Sequence, residues 1–384
     1  MRVKAILQEV LAPCAGFMHA KTMGALLRFC GALATGQTLT LNALGRAASG
    51  NTAAKHGIKA ANRLLGNQRL VRHRQAIYRA VAQRWIGLAR NAPVVLVDWT
   101  GLPNDFYALT ASVAFQGRSV PLYAEVYPEK KKSNRRIEAR FVSRLKALLP
   151  QHCTPVIVTD AGFYTEWCDA VEQVQWHFVA RVRNKTMFQG TDGKWRPVKD
   201  LHQVATRKAR SLGWVRMTRT KPRKRRIILA RQRRPLRRRK GGYSTIANKC
   251  RKRALEPWVL ATSLGAQPRA VVAIYAQRMQ IEQNYRDFKD TRWGWGLKHS
   301  RSHSAMRFDI LILLATIVSF VVLLIALCAE RKGTHRAYQA NTVKRRVLSL
   351  FNLGNQLIAN RHVPIPSLTH EVLYFSQQLF AAPI

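Results

Sequence analysis

Asp98 and Asp160 each close a short apolar run, VVLVD and PVIVTD, and Glu282 lies in the polar segment Tyr275–Lys289. Apolar runs of this length predict β-strands. If the two strands are neighbours, their acids share one edge of a sheet, where α/β proteins commonly hold their sites. Tyr275, Arg278, Glu282 and Lys289 are separated by steps of 3, 4 and 7 residues. On a single helix they would fall on one stripe, because each residue turns about 100°. Three carboxylates held together repel one another unless a cation neutralises them. Hard oxygen ligands select Mg²⁺ or Mn²⁺, and two such ions about 3.5–4 Å apart can drive an in-line displacement at phosphorus. Tyr275, Arg278 and Lys289 would then hold phosphate oxygens, Arg278 by a bidentate fork and Lys289 as a point charge. Taken singly, each aspartate reads as a turn or cap residue. The combination is what points to a site, because acids are scarce: 19 Asp and Glu stand against 65 Lys and Arg, a net charge of +46.

The elements that must carry these residues can be read along the chain. Residues 1 to about 85 are helical in pattern. Leu41–Ser49 and Ala53–Leu65 form a helix-turn-helix pattern about Gly50-Asn51-Thr52, with Thr52 or Asn51 as the cap. Lys55, Lys59 and Arg63 recur every four residues and share a face. That face suits the major groove of DNA, and equally the solvated side of a helical hairpin. Val94–Asp98, Leu109–Phe115, Val120–Tyr127, Pro155–Asp160 and Trp176–Val182 predict strands; Arg135–Leu149 and Glu166–Gln173 predict helices. This β, β, β, α, β, α, β order implies a mixed sheet covered by helices. From Arg207 to Arg253 there are 21 Lys and Arg and no acid. Arg226–Ala230 and, farther on, Val259–Ser263 predict strands, and Arg231–Lys240 a mobile loop. Helix returns after residue 270. Ile310–Ala329 has only Thr316 and Ser319 as polar members. It is long enough to span a bilayer but reads as a buried core helix.

The charge excess implies a polyanionic partner, nucleic acid above all, with an anionic membrane surface as the rival. Six cysteines are scattered without a CxxC pair, which argues against a zinc ribbon or disulfide framework and fits a reducing cytoplasm. Glu9 and Pro13 interrupt the apolar run that a signal peptide needs. No GxxxxGK[ST] pattern exists, so no nucleotide cofactor is expected. His299 and His303 have metal-ligand spacing for a helix but no third ligand, which favours a DNA-contact or loop role.

The stretches VLVDWT around Asp98, VIVTDAGF around Asp160, EPWVLAT at Glu256–Thr262 and YAQRMQIEQNYRDFK ending at Lys289 carry a resemblance, with HSRSHSAMRFD and QANTVKRR beyond them. The chain resembles the DDE transposases of bacterial insertion sequences, and within them the hairpin-forming cut-and-paste group marked by the Tyr-Arg-Glu-Lys pattern. The resemblance implies an α/β, RNase H-like core with a β-rich basic insertion. It divides the chain into a helical DNA-binding domain (1–88), core (89–184), insertion (185–264), core with the catalytic helix (265–330) and a helical C-terminal dimerisation and DNA-contact region (331–384). Asp98, Asp160 and Glu282 would be the catalytic ligands of two Mg²⁺ ions, with Mn²⁺ as substitute. Gln283 stands where relatives can carry a second acid, leaving Glu282 as the ligand. Tyr275, Arg278 and Lys289 would hold DNA phosphates. Trp258 would stack on a flipped base, a core tryptophan beside Val259 and Leu260 being the structural alternative.

The implied reaction is nicking at the transposon end, hairpin formation, hairpin opening and strand transfer. The implied partners are double-stranded DNA, as terminal inverted repeats and target, and a second copy of the chain in a dimer that pairs two ends, with no membrane. The place implied is the bacterial cytoplasm, at the nucleoid when DNA is bound. A non-catalytic basic DNA-binding protein is the alternative; it explains the charge but not the three acids.

Overall fold

In the computed structural model, which describes residues 2–87, 92–231 and 255–360, the chain divides into two units. One is Met1–Thr154 with Met279–Pro383, the other Pro155–Arg278. The first begins with helices α1 (Arg2–Leu11), α2 (Ala20–Gly36), α3 (Leu41–Ala47), α4 (Ala54–Leu65) and α5 (Gln68–Ile86). α3 and α4 cross at two glycines. A Cβ on Gly57 would stand 2.1 Å from the Gly45 carbonyl oxygen, and one on Gly45 would stand 2.5 Å from Ile58 Cα. The cap expected from Asn51 or Thr52 is not formed: the N-cap of α4 is Ala53, with no side-chain bond. Thr52 instead donates from its hydroxyl to the Ser49 carbonyl at 2.7 Å, a local turn bond that competes with capping.

Strands β1 (Val94–Leu102), β2 (Phe106–Phe115) and β3 (Arg118–Pro128) form an antiparallel meander, followed by α6 (Arg135–Leu148). Asn104 and Asp105 turn the first hairpin with φ of 58° and 57°, a left-handed pair that matches strand twist and that Asn and Asp tolerate. β1 therefore does not end at Asp98, as its apolar run suggested. Pairing with β2 carries it on through Trp99–Leu102, and Asp98 lies mid-strand opposite Thr110.

The second unit holds β4 (Val156–Thr159), α7 (Thr165–Gln173), β5 (His177–Arg181), β6 (Met187–Gln189), β7 (Trp195–Pro197), β8 (Arg210–Met217), β9 (Arg223–Ala230), β10 (Trp258–Thr262) and α8 (Pro268–Ala276). Its strands lie in the order β4-β5-β10-β9-β8-β6-β7. β4 and β5 are parallel, as a helical crossover requires, and the other pairs are antiparallel. The sheet is thus mixed, and the α/β class follows. The predicted loop Arg231–Lys240 falls, from residue 232 on, outside the described residues, as do residues 361–384 of the C-terminal region.

The first unit resumes with α9 (Met279–Lys289), α10 (Ala305–Arg331) and α11 (Leu350–Ala359). Every residue of α10 from Phe308 to Ala329 is buried. The helix packs against β3, α2, α5 and α11, so its bilayer-length apolar run forms the core of this unit. Each large aliphatic or aromatic side chain buried there contributes about 1.5–3 kcal/mol. Thr316 and Ser319 satisfy their hydroxyls on the helix's own carbonyls, Ile312 and Thr316, both at 2.9 Å. Gly354 of α11 meets the helix closely, since a Cβ there would lie 2.2 Å from the Val322 carbonyl oxygen. At the head of α10, Asp309 accepts from the Val126 N–H at 3.0 Å and pairs with Arg74. Burial pushes its carboxyl up to about 6, against the lowering effect of Arg74.

Candidate active site

Asp98 is half-buried in β1, and one of its carboxylate oxygens accepts from the Trp99 N–H at 2.8 Å. Its place is fixed by α9, the helix that also carries Glu282. Tyr285 donates its hydroxyl to the Asp98 carbonyl oxygen at 3.2 Å and bonds the hydroxyl of Thr110, the cross-strand partner of Asp98. One turn on, Lys289 donates to the Thr100 hydroxyl, two residues along β1 and on the same face as Asp98. At the other end of α9, the Gln280 amide oxygen accepts from the Phe115 N–H at 2.8 Å. Three side chains thus set the register of α9 against β1 and β2. Glu282 lies exposed in the first turn of α9, where the helix dipole favours negative charge.

Lys289 is half-buried, and burial pulls its ammonium down to about 8, against the raising effect of the Asp98 charge. On the same helix Asp287 is buried beside Arg118 at 2.8 Å. Burial pushes this carboxyl up to about 6, and Arg118 partly offsets it. The Trp99 indole N–H donates to the buried Glu138 at 2.9 Å, tying α6 to the residue after Asp98. Sequence reading passed over Tyr285, Thr100, Thr110 and Glu138. For Tyr285 a signal existed: it lies three residues from Glu282, so the two are near neighbours on one helix.

In the second unit Asp160 follows β4 directly and is half-buried. Its carboxylate accepts from the Gly162 N–H at 2.6 Å. A Cβ on Gly162 would stand 2.7 Å from that same oxygen, so the close loop requires glycine here. The Arg183 guanidinium donates to the Ala161 and Gly162 carbonyls at 2.5 and 2.9 Å and lies over the Tyr164 ring at 4.3 Å. The loop is clamped from outside as well as closed from within.

The expected single stripe from Tyr275 to Lys289 is not one helix. α8 ends at Ala276 and α9 begins at Met279. Between them the N–H groups of Gln277 and Arg278 bond three residues back, to Ile274 at 3.2 Å and Tyr275 at 3.0 Å. This tightening ends the α-helical ladder. Tyr275 and Arg278 accordingly belong to the second unit, Glu282 and Lys289 to the first. Tyr275 is buried and bonded by Arg278; burial raises its phenol, opposed by the charges of Arg278 and Arg181. Trp258 is 8% exposed, with its ring edge-on to Tyr275 at 4.6 Å and 79°. Its packing in this structure is that of a core tryptophan.

All three acids offer hard oxygen donors, a set suited to Mg²⁺ or Mn²⁺, and Gly162 leaves open the space beside the Asp160 carboxylate. Among the described residues no three His, Cys, Asp or Glu side chains gather into an ion site. His299 ends a short 3₁₀ turn and His303 lies in coil, so the pair is not displayed on a helix. Lys55, Lys59 and Arg63 are all exposed on α4.

Residues 90–319 match the family model described as the transposase DDE domain, more than half of the chain. No curated protein matches. Among solved structures, a cryo-EM piggyBac transposase synaptic complex with hairpin DNA is similar at 8% identity, over 100% of this chain and 81% of that one, with a TM-score of 0.43.

Proposed function

The chain belongs to the transposase DDE domain family, and from that premise we propose that it catalyses Mg²⁺-dependent cut-and-paste transposition of a bacterial insertion sequence. The family is one of DNA-cutting enzymes. The finer reading is supported by one observation above the others: the matched segment contains Asp98, Asp160 and Glu282, three of only 19 acids in a chain of net charge +46. In this reading the core would be RNase H-like, and the three carboxylates would hold two Mg²⁺ ions, or Mn²⁺ in their place, once brought together. When bound, such ions activate the attacking oxygen and stabilise the leaving one.

The side chains would divide the remaining work. Lys289 presents a charge beside Asp98 and would bind a phosphate oxygen; a phosphate would also draw its proton back, since an opposite charge favours the charged form. Arg278 would take a phosphate through two parallel N–H bonds, with Tyr275 beside it. Trp258 would accept a flipped base once its packing against Tyr275 opens. Lys55, Lys59 and Arg63 would contact the duplex through α4. Water would nick the transposon end; the freed 3′-OH would attack the opposite strand to form a hairpin. A second water would open the hairpin, and the new 3′-OH would join target DNA. The active form would be a dimer on two paired terminal repeats, in the bacterial cytoplasm. The test is an assay on DNA flanking this gene, with Mg²⁺ and with EDTA. Nicking at the element's ends with Mg²⁺ alone is expected; equal cleavage in EDTA, or none, would refute the proposal.

A further inference from the structure

The basic strands β8 and β9 form a hairpin whose two faces differ. Side chains alternate along a strand, and directly paired residues share a face. Val215, Met217, Arg223 and Arg225 therefore lie on one side, and Trp214, Arg216, Lys224 and Arg226 on the other. The first side is neutralised by α7. Buried Arg225 donates to Glu172 at 2.5 Å and to Asp169, and Arg223 donates to Asp169 at 3.0 Å. Among the described residues the second side meets no acid in this way. Arg226 is taken up by the Leu264 and Ala266 carbonyls at 3.0 and 2.5 Å. Arg216 and Lys224 stand exposed as a cross-strand pair, and Trp214, 49% exposed, lies next to Arg216 along β8 and opposite Arg226 on β9.

The Trp214 indole is held at the surface of this hairpin. Here the backbone is built to present it. The strand register shifts between Ser211 and Trp214, with Gly213 at φ 77°. The Ser211 hydroxyl accepts from the Gly213 N–H at 3.0 Å and from Arg226 at 3.3 Å, which pins the irregularity. Bulges of this kind re-aim a side chain. Trp258, by contrast, has its ring covered by Tyr275.

We propose that Trp214, with Arg216 beside it on β8 and Lys224 diagonally across on β9, is a stacking platform for an unpaired nucleobase of bound DNA, a site distinct from Trp258. An aromatic face beside cations suits single-stranded nucleic acid, the ring taking the base and the cations the phosphates. The inference rests on the reading that the chain works on DNA, and it names where that DNA is unpaired.

The test uses the full chain in EDTA and a duplex with a single-stranded overhang containing 2-aminopurine, whose fluorescence falls when it stacks on an aromatic ring. Wild type should quench it. Trp214→Ala should abolish the quench and weaken overhang binding about tenfold, leaving fully paired duplex bound as before. Trp214→Phe should keep the quench. Trp214→Leu, which preserves apolar bulk for folding, should lose it. Full quenching by Trp214→Ala or Trp214→Leu would overturn the inference, as would a change only in self-association, which would assign the indole to a second copy of the chain. Because no divalent ion is present, a chain that never nicks but shows this dependence on Trp214 would sink the catalytic reading and leave the platform standing.

Discussion

Asp98 and Asp160 are held by different kinds of structure. Asp98 lies inside a strand, and its position is set from outside: by β2 through Thr110, and by α9 through Tyr285 and Lys289. Asp160 follows a strand end, and its position is set within three residues, by the Gly162 N–H, with Arg183 clamping the loop carbonyls. An acid placed by neighbouring elements is vulnerable to substitutions far away in sequence. One placed by its own turn is vulnerable within that turn and at the arginine that clamps it.

The largest expected effect tests the local side. Gly162→Ala forces a Cβ to within 2.7 Å of the Asp160 carboxylate oxygen, so the carboxylate must move. Misplacement by about an ångström can cost about a hundredfold in rate, and Mg²⁺-dependent nicking should fall by that order while the melting temperature barely changes. Unchanged nicking would show that the turn does not position Asp160. Tyr285→Phe addresses the other side. It removes the hydroxyl shared by Thr110 and the Asp98 carbonyl and should lower nicking about tenfold. More Mg²⁺ should partly restore it, and DNA affinity should stay the same. A rate loss that Mg²⁺ does not relieve would make Tyr285 a packing residue only.

The smallest effect is on stability and belongs to α9. Asp287 titrates near 6 in the folded chain, above its ordinary value of 3.8, so the folded state binds the extra proton between those values. Its contribution is fully present below about pH 4 and is lost as pH rises through 6. Urea unfolding should show wild type losing, between pH 4 and pH 6.5, on the order of 1–3 kcal/mol relative to Asp287→Asn. A difference that does not change with pH would contradict the burial argument.

The same contrast explains what was legible in the sequence. Asp160 was read as the last residue of its strand and follows that strand by one residue, because an apolar run followed by Ala161-Gly162 is a local signal. The strand and helix order from Val94 to Arg181 was legible for the same reason, and so was the burial of Ile310–Ala329. Asp98 was put at a strand end because its apolar run stops there. What extends β1 is pairing with β2 through the Asn104-Asp105 turn, a non-local cause. The Tyr275–Lys289 stripe failed similarly: helical arithmetic assumes an unbroken helix, and the tightening at Gln277–Arg278 leaves no mark in residue spacing. Nor could composition reveal that Arg225 and Arg223 are spent on Asp169 and Glu172, so that the positive charge of the β8–β9 hairpin is sorted by face.

The most direct test of the central claim removes the acids one at a time. Asp98→Ala, Asp160→Ala and Glu282→Ala should each bind terminal-repeat DNA in a gel shift as wild type does, and each should lose Mg²⁺-dependent nicking altogether. Nicking that survives in all three, with folding and binding intact, would contradict the account.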